Sequence, residues 1–403
     1  MGKEGIVNLG IQGIDHVDFV VRDLERSREF YEGKMDFALS ARSSAAYEED
    51  TGERSLVFDA AKVRVQVTTP MAKDSRAGRF LKNHPDGVRT FTFRVADLDH
   101  AWKTLEKRGA NFLEEPAGKA GHRSFSITSP LGDVQYVFLE KASVPSGHSV
   151  SSDSGVDPRL TPVVRTGKEK TGHNRHKLTH VDHITSNTLD MRNLSAWYRD
   201  VLGFEHFWDI RFHTRDSKPD QAGSGGSGLT SIVMWDPSSN VKFATNEPLR
   251  PNFYNSQIAK FCDDNMGPGV QHIAFGTGHI MDVIPQMRQS GLKFLETPDA
   301  YYAMLPKRLA ERGVENLKEE IEELRKRRIL VDGRDNRYLL QIFMQEAALL
   351  YNEAATGPFF YEVIQRHGDQ GFGEGNFRAL FESIERQQTG ETQRTVNNPY
   401  LMD

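Results

Sequence analysis

The chain has 403 residues, with 51 Lys+Arg against 56 Asp+Glu for a formal net charge of −5, so no basic stripe is expected to serve a nucleic-acid partner. Hydrophobic residues at 37% are enough for real cores, yet no apolar run approaches the roughly 18 residues of a membrane span, and MGKEGIVNLG carries no secretory h-region. A single cysteine, Cys262, excludes an internal disulfide and a thiolate metal cage, so a cytoplasmic location is expected.

Taken in chain order, Ile14-Asp15-His16-Val17 reads as a short strand, followed by an amphipathic helix carrying Phe30-Tyr31. A second unit follows as VRTFTFRV, HAWKTLEKRG, ANFLEEP, RSFSITSP and DVQYVFLE. The stretch 143–177 is rich in Ser, Gly, Pro and charge and reads as a linker. Beyond it the pattern returns. Val181-Asp182-His183-Ile184 repeats the first strand 167 positions later, and Trp197-Tyr198 repeats the aromatic pair at the same offset. Gly269-Val270-Gln271-His272 repeats Gly87-Val88-Arg89-Thr90 at an offset of 182, and the difference has a home in the Gly/Ser-dense loop from Arg215 to Gly228. The second half continues as VQHIAFGT, a helix around Met281–Ser290, KFLETP, a charged helix around Leu305–Arg328, YLLQIFM and FFYEVIQR. Last, Phe377, Leu380, Phe381 and Ile384 give an amphipathic helix over Glu374–Gln387, with Gly371-Phe372-Gly373 as a hinge. The expected class is α+β: a first half over 1–142, the linker, and a second half over 178–403.

Most of the fourteen histidines are surface or core residues. His183, His272 and Glu362 differ, because each sits inside a short apolar strand, and a carboxylate there is costly unless paired or metal-bound. Taken singly, each reads more readily as a satisfied core group. Together they supply two imidazoles and one carboxylate, the facial triad that suits Fe(II), although Mn(II), Co(II) or Zn(II) would also fit. The first half keeps His16 but has Thr90 at the place of His272, and Val134-Gln135-Tyr136-Val137 near the carboxylate position. One metal site is therefore expected, in the second half alone. His180 and His183 should face opposite ways in a strand. Cys262 reads as a small hydrophobe.

The stretches NEPLRP, SQIAKF, GPGVQHIAF, ETPDAYYAMLPKRL, YLLQIF, FFYEVIQR and GFGEGNFRALFESIE, in this order, resemble the 4-hydroxyphenylpyruvate dioxygenase family of the vicinal oxygen chelate superfamily. The resemblance implies two tandem vicinal-oxygen-chelate halves, each of two βαβββ units in an open barrel-like sheet, plus a C-terminal lid helix. It also implies one Fe(II) per chain on His183, His272 and Glu362, and a pocket from Ser231, Asn246, Gln257, Gln341, Phe343, Phe372, Asn376 and Phe377. The implied reaction joins 4-hydroxyphenylpyruvate and dioxygen to give homogentisate and carbon dioxide, in a homo-oligomer. Gln341 and Phe343 share a strand face, whereas Gln271 should point away from its neighbour His272 and has a structural hydrogen bond as its simplest role. Ala244 stands where the family pattern has a proline. Two alternatives stay open: a 4-hydroxymandelate synthase, and a metal-free binding protein of the same superfamily.

Overall fold

The repeated periodicities fold into two sheets of matching topology. The computed structural model describes residues 8–119, 121–141, 157, 159–213, 228–249, 253 and 256–376. In the first half the strands are β1 (Ile11–Val20), β2 (Ala38–Ser43), β3 (Glu53–Ala60), β4 (Val63–Pro70), β5 (Gly87–Val95), β6 (Phe112–Lys119), β7 (His122–Thr128), β8 (Gln135–Lys141) and β9 (Leu160–Pro162). They lie in the order β6-β7-β8-β5-β1-β4-β3-β2-β9. The second half has β10 (Leu178–Asn187), β11 (Glu205–His213), β12 (Gly228–Asp236), β13 (Val241–Pro248), β14 (Gly269–Thr277), β15 (Leu330–Arg334), β16 (Arg337–Phe343) and β17 (Phe360–His367). Their order is β11-β12-β13-β10-β14-β17-β16-β15, the same sequence of places read from the other edge. In both halves the first strand pairs parallel on one side, with β4 or β13, and antiparallel on the other, with β5 or β14. The α+β class and the tandem halves are as expected.

Three details differ from the periodicity. KFLETP forms no strand; Phe294 makes only an isolated bridge with Met344. Its edge position, held by β6 in the first half, goes to β15, because a helix begins at Asp299 directly after Pro298. The charged segment is two helices, Asp299–Glu311 and Ile321–Arg327, separated where Gly313 takes φ +68°, a conformation that ends a helix at little cost only for glycine. Leu160–Pro162, within the stretch read as linker, pairs with β2. The loop expected from Arg215 falls on residues 214–227, outside the described residues. So does most of the last helix; residues 374–376 open a helical turn and Phe377 lies beyond them.

The two halves share one core, and the repeat packs it reciprocally. In each half the first helix passes into a π-helical turn, Glu29–Lys34 and Tyr198–Leu202, which sets Tyr31 and Tyr198 against the opposite half. Tyr31 meets the Tyr361 hydroxyl at 2.5 Å, and Tyr198 meets that of Tyr136 at 2.8 Å. All four rings are buried. Burial, and then the neighbouring ring, push the Tyr361 and Tyr136 hydroxyls well above the ordinary 10.0. Tyr31→Phe leaves the Tyr361 hydroxyl buried without its partner, so a loss of about 1–3 kcal/mol is expected in urea unfolding. Adding Tyr361→Phe should recover most of it, and a double variant as unstable as the sum of the singles would show the pair is not coupled.

Candidate metal centre and pocket

Strand alternation brings the three polar residues of the apolar strands together. On β17 Tyr361 faces the other half, so Glu362 must face the inside of the second sheet. His183 on β10 and His272 on β14 reach the same point. Each Nε2 lies 3.4 Å from Glu362 Oε2, and one ligand atom from each residue falls within 4.8 Å of the others. Among the described residues this is the one such group of three. All three side chains are buried, and Glu362 Oε1 has no hydrogen-bond partner. A buried carboxylate oxygen left without a donor, beside two imidazole nitrogens, fits a divalent cation better than a closed ion pair.

The other ring nitrogens are held from behind. Asp182 Oδ1 accepts from His183 Nδ1 at 2.9 Å, and Gln271 Oε1 accepts from His272 Nδ1 at 3.1 Å. Both bonds leave Nε2 free to face Glu362, the usual way a protein fixes the imidazole tautomer of a ligand. Strict alternation forbids such bonds between chain neighbours, and the sheet escapes it through two bulges. Register jumps from Val181↔Phe275 to His183↔Ala274, leaving Asp182 unmatched, and from Thr185↔His272 to Ser186↔Val270, leaving Gln271 unmatched. Gln271 thus lines the pocket beside His272, against the expectation that it points away, while its hydrogen bond is the structural one anticipated. Asp182 is in turn gripped by Arg366, at 2.8 Å from Nε and 2.7 Å from Nη2. Arg366 also donates to the carbonyls of Asp369 and Gly371, so the candidate metal centre and the glycine segment share one guanidinium. Sequence reading passed over both residues; the signal was the Asp-His pair present in each half.

Electrostatics prepares two of the three groups. Burial works against the Glu362 charge, but the two histidines prevail and hold its carboxyl below the ordinary range. Burial, aided by the charge of His183, pushes His272 below the usual imidazole value. On His183 burial is outweighed by Glu362 and Asp182, and its pKa lies above the ordinary 6.5. A cation therefore competes with a proton for His183. Metal uptake is expected to release a proton below the His183 pKa, and affinity to fall about tenfold per pH unit there while levelling off above it. Calorimetry of Co(II) binding in two buffers of different ionisation heat measures this. A release of zero protons below that pKa would contradict it.

Around the centre lie Asn246, Gln257, Gln341, Phe343, Phe372 and Ala244, enclosing a free space of about 20 Å³, room for about one water. Ser256 caps the helix Gln257–Asp264 by accepting from Ala259 N at 3.1 Å, which fixes Gln257 at the helix start with its Nε2 unpartnered. Asn246 Nδ2 is bonded to Asn187, and its Oδ1 is unpartnered. Phe372 packs edge-on to His183 at 4.8 Å and covers Ala244. A side chain at Gly373 (φ +72°) would strike Gln341 at 2.6 Å, so only glycine lets this segment lie over the pocket. Ser231 is buried opposite Asn246 in register but does not line this space. Asn376 also stays outside it, accepting from Tyr301 at 2.6 Å and Arg308 at 3.3 Å.

In the first half His16 keeps its bulge partner Asp15 at 3.0 Å, but Thr90 replaces His272, and the register Thr90↔Gln135 puts Val137 at the place of Glu362.

Residues 13–133 and 180–304 match the Glyoxalase/Bleomycin resistance protein/Dioxygenase superfamily, one match on each sheet. The chain is 32% identical over 394 residues to the 4-hydroxyphenylpyruvate dioxygenase of Dictyostelium discoideum, covering 94% of this chain and 98% of that one. To the same-named protein of Danio rerio it is 34% identical over 390 residues, covering 94% and 92%. A solved mutant of 4-hydroxymandelate synthase from Streptomyces coelicolor shares the fold, with a TM-score of 0.75, 23% identity, and coverage of 94% and 99%. The chain belongs to the 4-hydroxyphenylpyruvate dioxygenase family.

Proposed function

We propose that this protein is an oxidoreductase converting 4-hydroxyphenylpyruvate and dioxygen to homogentisate and carbon dioxide, with one Fe(II) per chain on His183, His272 and Glu362. The observation that carries the reading is the convergence of these three buried groups, with an unpartnered Glu362 oxygen, in a chain of this family. Fe(II) bound there would supply open positions for a 2-oxo acid and dioxygen, with the substrate itself as the source of electrons.

The chain's own residues have three tasks in this reading. Asp182 and Gln271 hold the imidazoles so that both Nε2 atoms face one point. Gln257, Gln341 and Asn246 offer polar atoms to the substrate's phenol, and Phe343, which lies against His272 at 5.9 Å, forms a flat wall for its ring. With so little free space, an aromatic acid enters only when Phe372 and the hinge swing outward, and their return excludes water. Ser231 and Asn376 belong to this proposal as supports of the pocket, and Phe377, outside the described residues, keeps the ring-clamping role that the resemblance implies. The first half is proposed to be metal-free. No helix among the described residues is long and apolar enough to cross a membrane. Burial pushes the Cys262 thiol up to about 12, which keeps it an unreactive thiol, and a cytoplasmic location is proposed on the single cysteine of the chain. A homo-oligomer is proposed on the family resemblance.

The test is product identification from 4-hydroxyphenylpyruvate under air with Fe(II)-loaded protein. Homogentisate is expected, and 4-hydroxymandelate as the main product would overturn the choice of reaction. Phe343→Ile should let the ring tilt and give a measurable share of 4-hydroxymandelate, since about 1.4 kcal/mol between competing barriers changes a product ratio tenfold. Chromatography of the two mixtures decides whether Phe343 directs the outcome.

A further inference from the structure

The first half has kept the cavity that corresponds to the candidate metal centre and refitted its floor. Register makes the correspondence residue by residue. Ser55 pairs with Thr68 as Ser231 pairs with Asn246. Asp18, opposite Gln66, stands where Thr185 stands opposite Ala244. Arg89 is left unmatched by the shift from Asp18↔Thr90 to Phe19↔Val88, the counterpart of the Gln271 bulge. Where the second half has an apolar floor with the candidate ligands, the first has a charged one. Arg89 donates to Asp18 Oδ2 at 2.8 and 3.0 Å and to Glu53 Oε1 at 3.0 Å. The space above this floor is about 960 Å³, far roomier than the pocket of the second half.

Two observations define what would bind there. Among the described residues lining the cavity, four arginines face seven carboxylates. Three of those arginines are already ion-paired: Arg89 on the floor, Arg76 with Glu114, and Arg159 with Asp157 and Asp50. The same pairs engage Asp18, Glu53, Glu114, Asp157 and Asp50, but four cations against seven anions leave the lining net negative, the floor trio of Arg89, Asp18 and Glu53 included. Independently, Gln66 is 6% exposed, its amide nitrogen donates to Thr68 at 3.3 Å, and its carbonyl Oε1 has no partner. A buried acceptor facing an acidic cavity calls for a donor that carries positive charge. The carboxylates stand at two depths, with Asp18 5% exposed on the floor and Asp74 and Glu115, in no ion pair among the described residues, exposed at the rim. One cationic end cannot serve both.

We propose that the first half is a binding site for a linear aliphatic di- or polyamine, with one ammonium on Gln66 Oε1 beside Asp18 and Glu53 and another at the carboxylate rim. The site works without metal and is distinct from the centre on His183, His272 and Glu362.

Titration calorimetry of the full chain with spermidine tests this. One saturable site per chain is expected, weakening as salt rises from about 50 to 200 mM. Gln66→Leu should weaken binding roughly tenfold, as the loss of one charge-assisted hydrogen bond implies. Gln66→Glu should tighten it several-fold, an effect that a purely structural glutamine would not produce. His272→Ala should bind spermidine like the wild type. The proposal fails if spermidine gives no saturable heat, if both Gln66 variants bind like the wild type, or if His272→Ala abolishes binding.

Discussion

Glu362→Ala protein purified under iron-replete conditions is expected to retain less than about a tenth of the wild-type iron and to lose turnover by at least roughly 10³-fold. The carboxylate is the one anionic group at the centre, 3.4 Å from both imidazole nitrogens. Without it, two histidines face each other with nothing to offset a divalent charge. Glu362→Gln keeps the volume and removes the charge, and should fail nearly as badly, which separates ligation from packing. His16→Ala removes the corresponding imidazole of the first half and should leave iron content unchanged, because Thr90 and Val137 supply no second ligand. Iron analysis beside an oxygen-uptake assay measures both quantities. Wild-type iron in the Glu362 variants would remove the triad from the argument.

Asp182→Ala is expected to act twice. It takes the acceptor from His183 Nδ1, which should lower metal affinity about 10–100-fold. It also leaves the Arg366 guanidinium in a buried place without its carboxylate, at a cost of about 3–5 kcal/mol. The two effects separate in the double variant Asp182→Ala/Arg366→Met. An apolar pair in place of a buried ion pair is close to neutral, so stability should largely return while metal affinity stays low. Denaturant unfolding and metal titration of the same samples give the two readings. If affinity returns together with stability, Asp182 is a structural anchor only.

The duplication, the α+β class and the three buried polar residues were legible in the sequence because each rests on a local pattern. Apolar strands announce themselves, and His183, His272 and Glu362 break them in the same way. Gln341 and Phe343 follow from simple alternation. What escaped depends on long-range register. Gln271 and Asp182 sit at bulges, which no alternation rule foresees, and Arg366 reaches Asp182 across 184 positions of chain. The strand read at KFLETP repeats the first half faithfully in sequence, yet the helices that follow it hand the edge to β15 instead. Gln66 gave no sequence signal at all, since its meaning lies in a missing partner.

The crossed tyrosine pairs carry a symmetry. Tyr31 meets Tyr361 and Tyr198 meets Tyr136, and the repeat makes these the same contact made twice about a pseudo-twofold axis. A surface that recognises itself in this way is the isologous interface of a homodimer. The two halves stand to each other as the subunits of such a dimer would. In such a dimer every pocket comes in identical pairs, and a change that spoils one spoils both. A single chain carries no such constraint: its two pockets can differ, and here His183, His272 and Glu362 meet in one while Thr90 and Val137 stand at two of the three corresponding places in the other.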